Sequence, residues 1–200
     1  MLLASAFFLA ALRPAGAALP VLTLADMSRL VELDEPAISP DAKRVAFIVI
    51  TQDVKHDAYV NSLAVLDLAT NQTRTILGGK DVAVPRWSPD GSRLAYLAKT
   101  SGEDHQLFVR EGERSRQLTT AKGDVVDEAW SPDGRELAYV AADPHDGAPF
   151  FYAGDNDYTA TELTPPEHLW IVSANGGTAR RLTSGSWTIA PTDPGGIFSP

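Results

Sequence analysis

The sequence contains no cysteine among its 200 residues, so disulfides, thiolate-bound metal centres and a cysteine nucleophile are excluded. Basic residues are also in the minority. Lysine and arginine together number 17 against 26 aspartates and glutamates, and the formal net charge is −9. Nucleic-acid binding is not expected, because it requires a basic surface that neutralises phosphates.

The nucleophile elbow of serine hydrolases is missing as well, because the string Gly-x-Ser-x-Gly occurs nowhere in the chain. Four histidines fall in gaps, loops or strand edges, and we interpret them as surface residues rather than as catalytic bases: His56, His105, His145 and His168. No motif predicts a catalytic residue, a metal ligand or a cofactor.

Long hydrophobic runs are few. Residues 2–12 form one apolar stretch, which is shorter than the ~20 residues that span a bilayer. Arg13 and the small residues 15–17 follow it, and this pattern predicts a signal peptide over residues 1–17 and a periplasmic or secreted protein. No basic residue precedes the apolar stretch, and a buried N-terminal helix is the alternative. No membrane span is expected after cleavage.

What the sequence does contain is an internal repeat. The copies read AISPDAKRVAFIV, RWSPDGSRLAYLA and AWSPDGRELAYVA, at residues 37–49, 86–98 and 129–141. A fourth copy opens with Ser199. The repeated serines are separated by 49, 43 and 68 residues, and each of the first three copies continues with a second apolar segment and a polar turn.

The chemistry of the SPDG motif predicts a tight turn between two strands. Proline presets φ, aspartate accepts hydrogen bonds from nearby backbone N–H groups, and glycine adopts the positive φ that closes the turn. Ser39, Ser88 and Ser131 are therefore interpreted as turn residues and not as nucleophiles. Ala42 stands where glycine is expected, so the first turn should be strained or differently shaped.

The segment after each turn is apolar on both faces, and such a strand must lie between two layers. Four short strands per copy and a period of about 40–45 residues are typical of β-propeller blades. Trp87 and Trp130 are expected to fill the gaps between blades, and Ala46, Ala95 and Ala138 to allow close approach of neighbouring sheets. A solenoid or a sandwich is the alternative.

We therefore predict an all-β fold. It is a partial β-propeller of SPDG-type blades, three blades plus the start of a fourth, preceded by a signal peptide and a short helix. The leader segment covers residues 18–35, and the incomplete propeller covers residues 36–200. The blades are expected at about residues 36–80, 81–122, 123–190 and 191–200.

The short helix is expected within residues 22–33. Thr23 can cap it, and a helical period places four apolar side chains on one face: Leu24, Met27, Leu30 and Val31. A second irregular feature is the long third repeat. Residues 143–168 are rich in proline, glycine, aspartate and aromatic residues, which predicts an inserted loop.

The chain resembles the N-terminal part of bacterial serine peptidases of the prolyl oligopeptidase family, of the acylaminoacyl-peptidase and dipeptidyl-aminopeptidase type. The resemblance lies in TLADMSRLVELDEPAISPDAKRVAFIV at residues 23–49 and in the two SPDG repeats that follow, and it extends over about residues 22–200. It implies a seven- or eight-bladed propeller that covers a C-terminal α/β-hydrolase domain. No residue of the hydrolase triad can be assigned to this chain.

Dipeptidyl-type members of this family use acidic propeller residues to hold the α-amino group of the substrate. The inserted loop carries three candidates for that role beside several aromatic side chains: Asp155, Asp157 and Glu162. The paired-glutamate motif of the family is not visible, and a solvated acidic loop is the alternative interpretation.

The leading hypothesis is a propeller fragment of a secreted serine peptidase, which gates and scaffolds the access of peptide substrates to a hydrolase domain absent here. The alternative is a TolB-like, non-enzymatic periplasmic propeller that binds proteins. A pseudogene product without function is a third possibility. Three blades and a fragment do not close a ring, which favours a truncated product or a piece of a longer protein.

Overall fold

The structure of the protein is a computed structural model. It describes residues 26, 29–79, 81–100, 102, 104–144 and 166–185. The described residues form three antiparallel four-stranded sheets, each built from strands that are consecutive in the chain. Sheet 1 contains β1 (Val31–Ile38), β2 (Arg44–Asp53), β3 (Ala58–Asp67) and β4 (Gln72–Leu77). Sheet 2 contains β5 (Val82–Trp87), β6 (Arg93–Lys99), β7 (His105–Glu111) and β8 (Arg114–Gln117). Sheet 3 contains β9 (Val125–Trp130), β10 (Glu136–Ala142), β11 (Glu167–Ser173) and β12 (Arg180–Arg181).

The first strand of each sheet lies at the inner edge of the assembly. Strand β1 contacts β5, and β5 contacts β9, whereas the last strands β4, β8 and β12 make their main contacts within their own sheets. The three sheets therefore converge on their first strands and spread apart toward their last strands. This arrangement of blades confirms the predicted all-β fold.

The SPDG turns follow the predicted chemistry. In the second copy, Ser88 Oγ donates to Asp90 Oδ1 at 2.6 Å and accepts the backbone N–H of Arg93 at 2.9 Å. Asp90 Oδ1 also accepts the N–H of Ser92 at 3.0 Å, and these bonds lower the pKa of Asp90 to about 2. The same pattern surrounds Ser39 and Ser131. These serines are therefore turn residues, as predicted.

Ala42 confirms the expectation of a strained first turn. Its φ is 53°, whereas the equivalent glycines Gly91 and Gly134 have φ of 70° and 68°. The closing hydrogen bond is unchanged, since Ala42 donates its N–H to the Ser39 carbonyl at 2.8 Å, as Gly91 does to that of Ser88. The turn keeps its shape, and alanine adopts a left-handed conformation that its Cβ disfavours.

The predicted extent of the leader helix is wrong. Asp26 is helical, but the strand β1 begins at Val31 and pairs Val31 with Thr51 and Leu33 with Val49. The same apolar spacing fits a helix and a strand, and pairing with β2 satisfies the backbone from Val31 to Asp34. Sheet 1 consequently includes residues 31–35, which were assigned to the leader segment.

Two apolar cores hold the three sheets together. The side chains between sheets 1 and 2 include Ile48, Leu63 and Tyr96, and those between sheets 2 and 3 include Leu97 and Leu137. Strand β6 contributes to both cores, and residues 94–98 are each at most 3% exposed. Burial of such a side chain stabilises the fold by about 1.5–3 kcal/mol. The expected sandwiching of this strand is confirmed.

Two further expectations have mixed outcomes. Ala46 and Ala95 are fully buried between sheets, as expected, but Ala138 is only half-buried because it lies on the face of β10 turned away from sheet 2.

Within the expected insertion, residues 145–165 lie outside the described residues, and β11 already begins at Glu167. Over the described part of the chain, no helix has the length and hydrophobicity needed to cross a bilayer.

Replacing Ala42 by glycine should stabilise the protein by about 1 kcal/mol, because glycine has no Cβ that opposes a positive φ. The matched reverse change is Gly91→Ala, where a new Cβ would lie 3.5 Å from its nearest neighbour, so backbone strain is the main cost. Thermal unfolding should show shifts of roughly 2–4 °C in opposite directions. A lower midpoint for Ala42→Gly would contradict this explanation.

Candidate functional site

All three inner strands carry an irregularity in their pairing, at the same repeat position in β1 and β5 and slightly earlier in β9. The pairing register shifts between Asp34 and Ala37 in β1, between Ala83 and Arg86 in β5, and opposite Val140 and Ala141 in the pairing of β9 with β10. Glu35 and Val84 adopt positive φ of 48° and 52° there. A β-branched residue such as Val84 rarely adopts this conformation, and local strain of this kind is often found at functional sites.

A carboxylate from sheet 1 holds the strained residue of sheet 2. Glu35 Oε2 accepts the backbone N–H of Val84 at 2.5 Å. Burial raises the pKa of Glu35, and the hydrogen bond from Val84 opposes that increase. The contact joins the inner strands of the first two sheets at the point where β5 departs from regular pairing.

An ion pair joins the inner strands of sheets 2 and 3. Arg86 Nη2 lies 2.9 Å from Asp127 Oδ1, and Arg86 Nε lies 3.7 Å from Glu128 Oε1. The side chain of Glu128 is fully buried, whereas that of Arg86 is 48% exposed. Burial raises the pKa of Glu128 to about 8, although Arg86 acts in the opposite direction.

We refer to Glu35, Arg86, Asp127 and Glu128 as the inner-edge cluster. Its members, three acidic residues and one arginine, come from three different sheets, and the exposed side chains of Arg86 and Asp127 can contact charged or polar groups of a ligand. Among the described residues there is no group of three or more histidine, aspartate or glutamate side chains placed to hold a metal ion.

A repeated contact between the sheets positions this cluster. The guanidinium of Arg44 lies 4.4 Å from the ring centroid of Trp87, and Arg44 Nη2 donates to the Gly91 carbonyl at 2.7 Å. Trp87 Nε1 in turn donates to the Ala37 carbonyl at 3.0 Å. This arrangement, which we call the arginine–tryptophan contact, ties sheet 1 to sheet 2 at two points.

The same contact recurs between sheets 2 and 3. The guanidinium of Arg93 lies 5.0 Å from the ring centroid of Trp130 and donates to the Gly134 carbonyl, and Trp130 Nε1 donates to the Arg86 carbonyl at 3.0 Å. The prediction that Trp87 and Trp130 fill the gaps between blades is confirmed. The arginines that stack on them were not identified from the sequence.

A cleft of about 460 Å³ lies between sheets 1 and 2, outside the inner-edge cluster. Its lining includes Trp87, Arg74, Arg110 and Glu113. Both arginines are already paired with Glu113, at 3.0 Å and 2.9 Å. These three charged groups of the cleft therefore satisfy one another.

The three described histidines agree with the predicted surface position to different degrees. His56 is exposed and pairs with Asp53 at 2.6 Å, in agreement with the prediction. His105 is half-buried, and the prediction of a surface residue is wrong for His168, whose side chain is fully buried. His168 lies on the buried face of β11, with Nε2 at 3.4 Å from Asp143 and Nδ1 near Thr183 Oγ1. His145 lies outside the described residues.

The sequence-based candidates Asp155, Asp157 and Glu162 also lie outside the described residues, and their role stays a prediction. The inner-edge cluster was missed from the sequence. One signal was available. Glu128 stands three residues before a turn serine, where the other two copies have Pro36 and Pro85.

Comparison with known proteins places these sheets in a family. The family described as the TolB beta propeller domain matches residues 25–164. The chain belongs to this family. The predicted propeller is thereby confirmed, and the inner strands with their charged cluster correspond to the inner edges of propeller blades.

The resemblance to the propeller part of peptidases is confirmed by similar proteins. The chain is 30% identical over 102 residues to "Uncharacterized peptidase YuxL" of Bacillus subtilis. The matched region covers 50% of this chain and 16% of that protein. The acylaminoacyl peptidase of Pyrococcus horikoshii has a similar structure, with a TM-score of 0.60, 19% identity and coverage of 76% of this chain and 25% of that one.

A putative TolB from Agrobacterium tumefaciens has the same fold, with a TM-score of 0.51 and 16% identity. The matched region covers 76% of this chain and 48% of the Agrobacterium protein. At such identities the two solved structures show the fold alone. This chain spans about one sixth of the length of the curated peptidase that it matches.

Replacing Glu35 by alanine should destabilise the protein by about 1–3 kcal/mol, because the N–H of Val84 loses its acceptor in a partly buried place. The matched control is Glu32→Ala on the exposed part of the same strand, which should change stability by less than about 0.5 kcal/mol. Urea unfolding measures both. Equal losses for the two variants would contradict a specific role for Glu35.

Proposed function

We propose that this chain is part of the propeller of a prolyl oligopeptidase-type serine peptidase, and that it controls the access of peptides to a separate hydrolase domain. The similarity to a protein named as a peptidase carries this proposal. The structural likeness to the archaeal acylaminoacyl peptidase supports the same type of propeller.

The described structure supports a scaffolding and selecting role. Its recurrent serines, Ser39, Ser88 and Ser131, use their hydroxyl groups to close turns, so these groups are not available as nucleophiles. The exposed charges of the inner edge, such as Arg86 and Asp127, lie where the blades converge. Peptides that pass along this edge would meet alternating charges held on a rigid framework of sheets.

A second candidate function is that of a TolB-like propeller that binds folded proteins without catalysis. The family match and the likeness to the Agrobacterium protein are compatible with this candidate as well. The two functions differ in the physical state of the ligand, since a gate admits unstructured peptides and a docking module binds folded surfaces. Secretion through residues 1–17 stays a prediction, because those residues lie outside the described structure.

Peptide binding by the full 200-residue chain tests the proposal. Fluorescently labelled, unstructured peptides of about ten residues should bind with Kd values of roughly 10 μM to 1 mM, as a transient gating contact requires. Arg86→Gln or Asp127→Asn should change Kd by about threefold or more, because each removes an exposed charge of the inner edge. Fluorescence anisotropy measures both effects.

The matched control is Glu113→Gln, which removes an exposed charge on the outer cleft and should leave Kd unchanged. If peptides of every charge fail to bind while a folded periplasmic protein binds tightly, the gating proposal is wrong and the TolB-like function is favoured. Binding that ignores Arg86 and Asp127 would place the peptide elsewhere on the propeller.

A further inference from the structure

Glu128 is the most unusual acidic residue of the described structure. Its side chain is fully buried, and neither carboxylate oxygen has a hydrogen-bond partner among the described residues. Arg86 Nε lies 3.7 Å from Oε1, beyond hydrogen-bond distance. A buried carboxylate with so little compensation is costly to ionise.

The position of Glu128 in the repeat makes this cost specific to one pair of sheets. Three residues before the turn serine, the first two inner strands carry Pro36 and Pro85, neither of which titrates. Glu128 occupies that position in β9 and lies opposite Tyr139 on β10. Only the contact between sheets 2 and 3 therefore buries an ionisable group at this place within the described chain.

The charged groups that act on Glu128 are Arg86 and Asp127, and the titratable Tyr139 lies opposite it on β10. Arg86 on β5 is the nearest cation, but its Nη2 already pairs with Asp127 Oδ1 at 2.9 Å. Arg93 on β6 stacks on Trp130, and His105 on β7 pairs with Asp124. Asp127 adds a like charge next to Glu128. The available positive charge is thus shared or committed elsewhere.

We propose that Glu128 makes the interface between sheets 2 and 3 sensitive to pH, so that the two blades pack closely when its carboxyl is neutral and separate locally when it is ionised. Around Glu128 this interface includes the Arg86–Asp127 ion pair and the hydrogen bond from Trp130 Nε1 to the Arg86 carbonyl. Ionisation would attract water and Arg86 toward the carboxylate, and Arg86 also provides the backbone carbonyl that Trp130 binds.

The direction of the pH dependence follows from proton linkage. The pKa of Glu128 is about 8 in the folded protein. In the unfolded chain it has the ordinary value for glutamate, 4.5. Between these values the folded state holds a proton that the unfolded state has lost, so this contribution to stability falls as pH rises. The contribution is fully present below pH 4.5 and is lost as pH passes 8.

Two tryptophan indoles report separately on the two interfaces. Trp130 Nε1 donates across the interface that contains Glu128, and Trp87 Nε1 donates to the Ala37 carbonyl across the interface that contains Pro85. Both hydrogen bonds measure 3.0 Å. The ratio of their hydrogen-exchange protection cancels the ordinary acceleration of exchange by base, because both indoles experience it.

The experiment measures indole hydrogen exchange by NMR in the full chain at pH 6 and pH 9. Protection of Trp130 relative to Trp87 should fall by roughly 10–100-fold at the higher pH. In Glu128→Gln the ratio should be the same at both pH values, and Glu128→Leu serves as a second variant should glutamine prevent folding. The matched control Glu136→Gln, an exposed change at the start of β10 in the same sheet, should behave like the unmodified chain.

Two results would overturn the proposal. If the ratio stays constant between pH 6 and pH 9, ionisation of Glu128 does not open this interface. If both indoles lose protection together, or if Glu128→Gln shows the same fall as the unmodified chain, the change is global or has another origin. The proposal does not depend on the peptidase-associated function, since the exchange measurement needs no substrate.

Discussion

The arginine–tryptophan contact between successive sheets is the interaction on which the rest of this structure depends. The second strand of each sheet is apolar on both faces, so a sheet alone in water would expose apolar surface. Burial brings the sheets together without fixing their mutual angle, because the hydrophobic effect has no direction. The stacked guanidinium and its two accompanying hydrogen bonds supply that direction, once between Arg44 and Trp87 and once between Arg93 and Trp130.

The geometry of the inner edge follows from this fixed packing. With the sheets held at their turn ends, the first strands come close enough for side chains of one sheet to bond to the backbone or the side chains of the next. Glu35 reaches Val84, and Arg86 reaches Asp127. The irregular pairing of these strands and the positive φ of Val84 are tolerated because the neighbouring sheet supplies the missing partner. The candidate site is thus a consequence of how the blades meet.

Much of the fold was predictable because short sequence motifs specify its turns and strands locally, and these motifs recur in each sheet. The SPDG motif specifies its own hydrogen bonds, and even the exception at Ala42 was predictable from the need for a positive φ. The segment around Val31 was not, since its apolar spacing fits a helix and a strand equally, and only pairing with β2 decides between them. The burial of His168 likewise depends on which face of β11 is covered, which its own sequence does not specify.

The inner-edge cluster could not be predicted for a related reason. Glu128 differs from the prolines at its repeat position, so a deviation was visible, but its significance depends on burial by another sheet and on the shared use of Arg86. The arginines of the inter-sheet contact are a similar case. Arg44 and Arg93 stand five residues after the turn serines and look like ordinary surface residues in the sequence.

The most direct test of this account is a double-mutant cycle on Arg93 and Trp130, with the free energy of unfolding measured for Arg93→Met, Trp130→Leu and the double variant. A guanidinium stacked on an indole predicts a coupling energy of about 0.5–2 kcal/mol. The pair Arg135 and Trp130 provides a reference, because Arg135 is exposed on the adjacent turn. A coupling energy within about 0.3 kcal/mol of zero for Arg93 and Trp130 would mean that apolar burial alone sets the arrangement of the blades, and the central claim would be wrong.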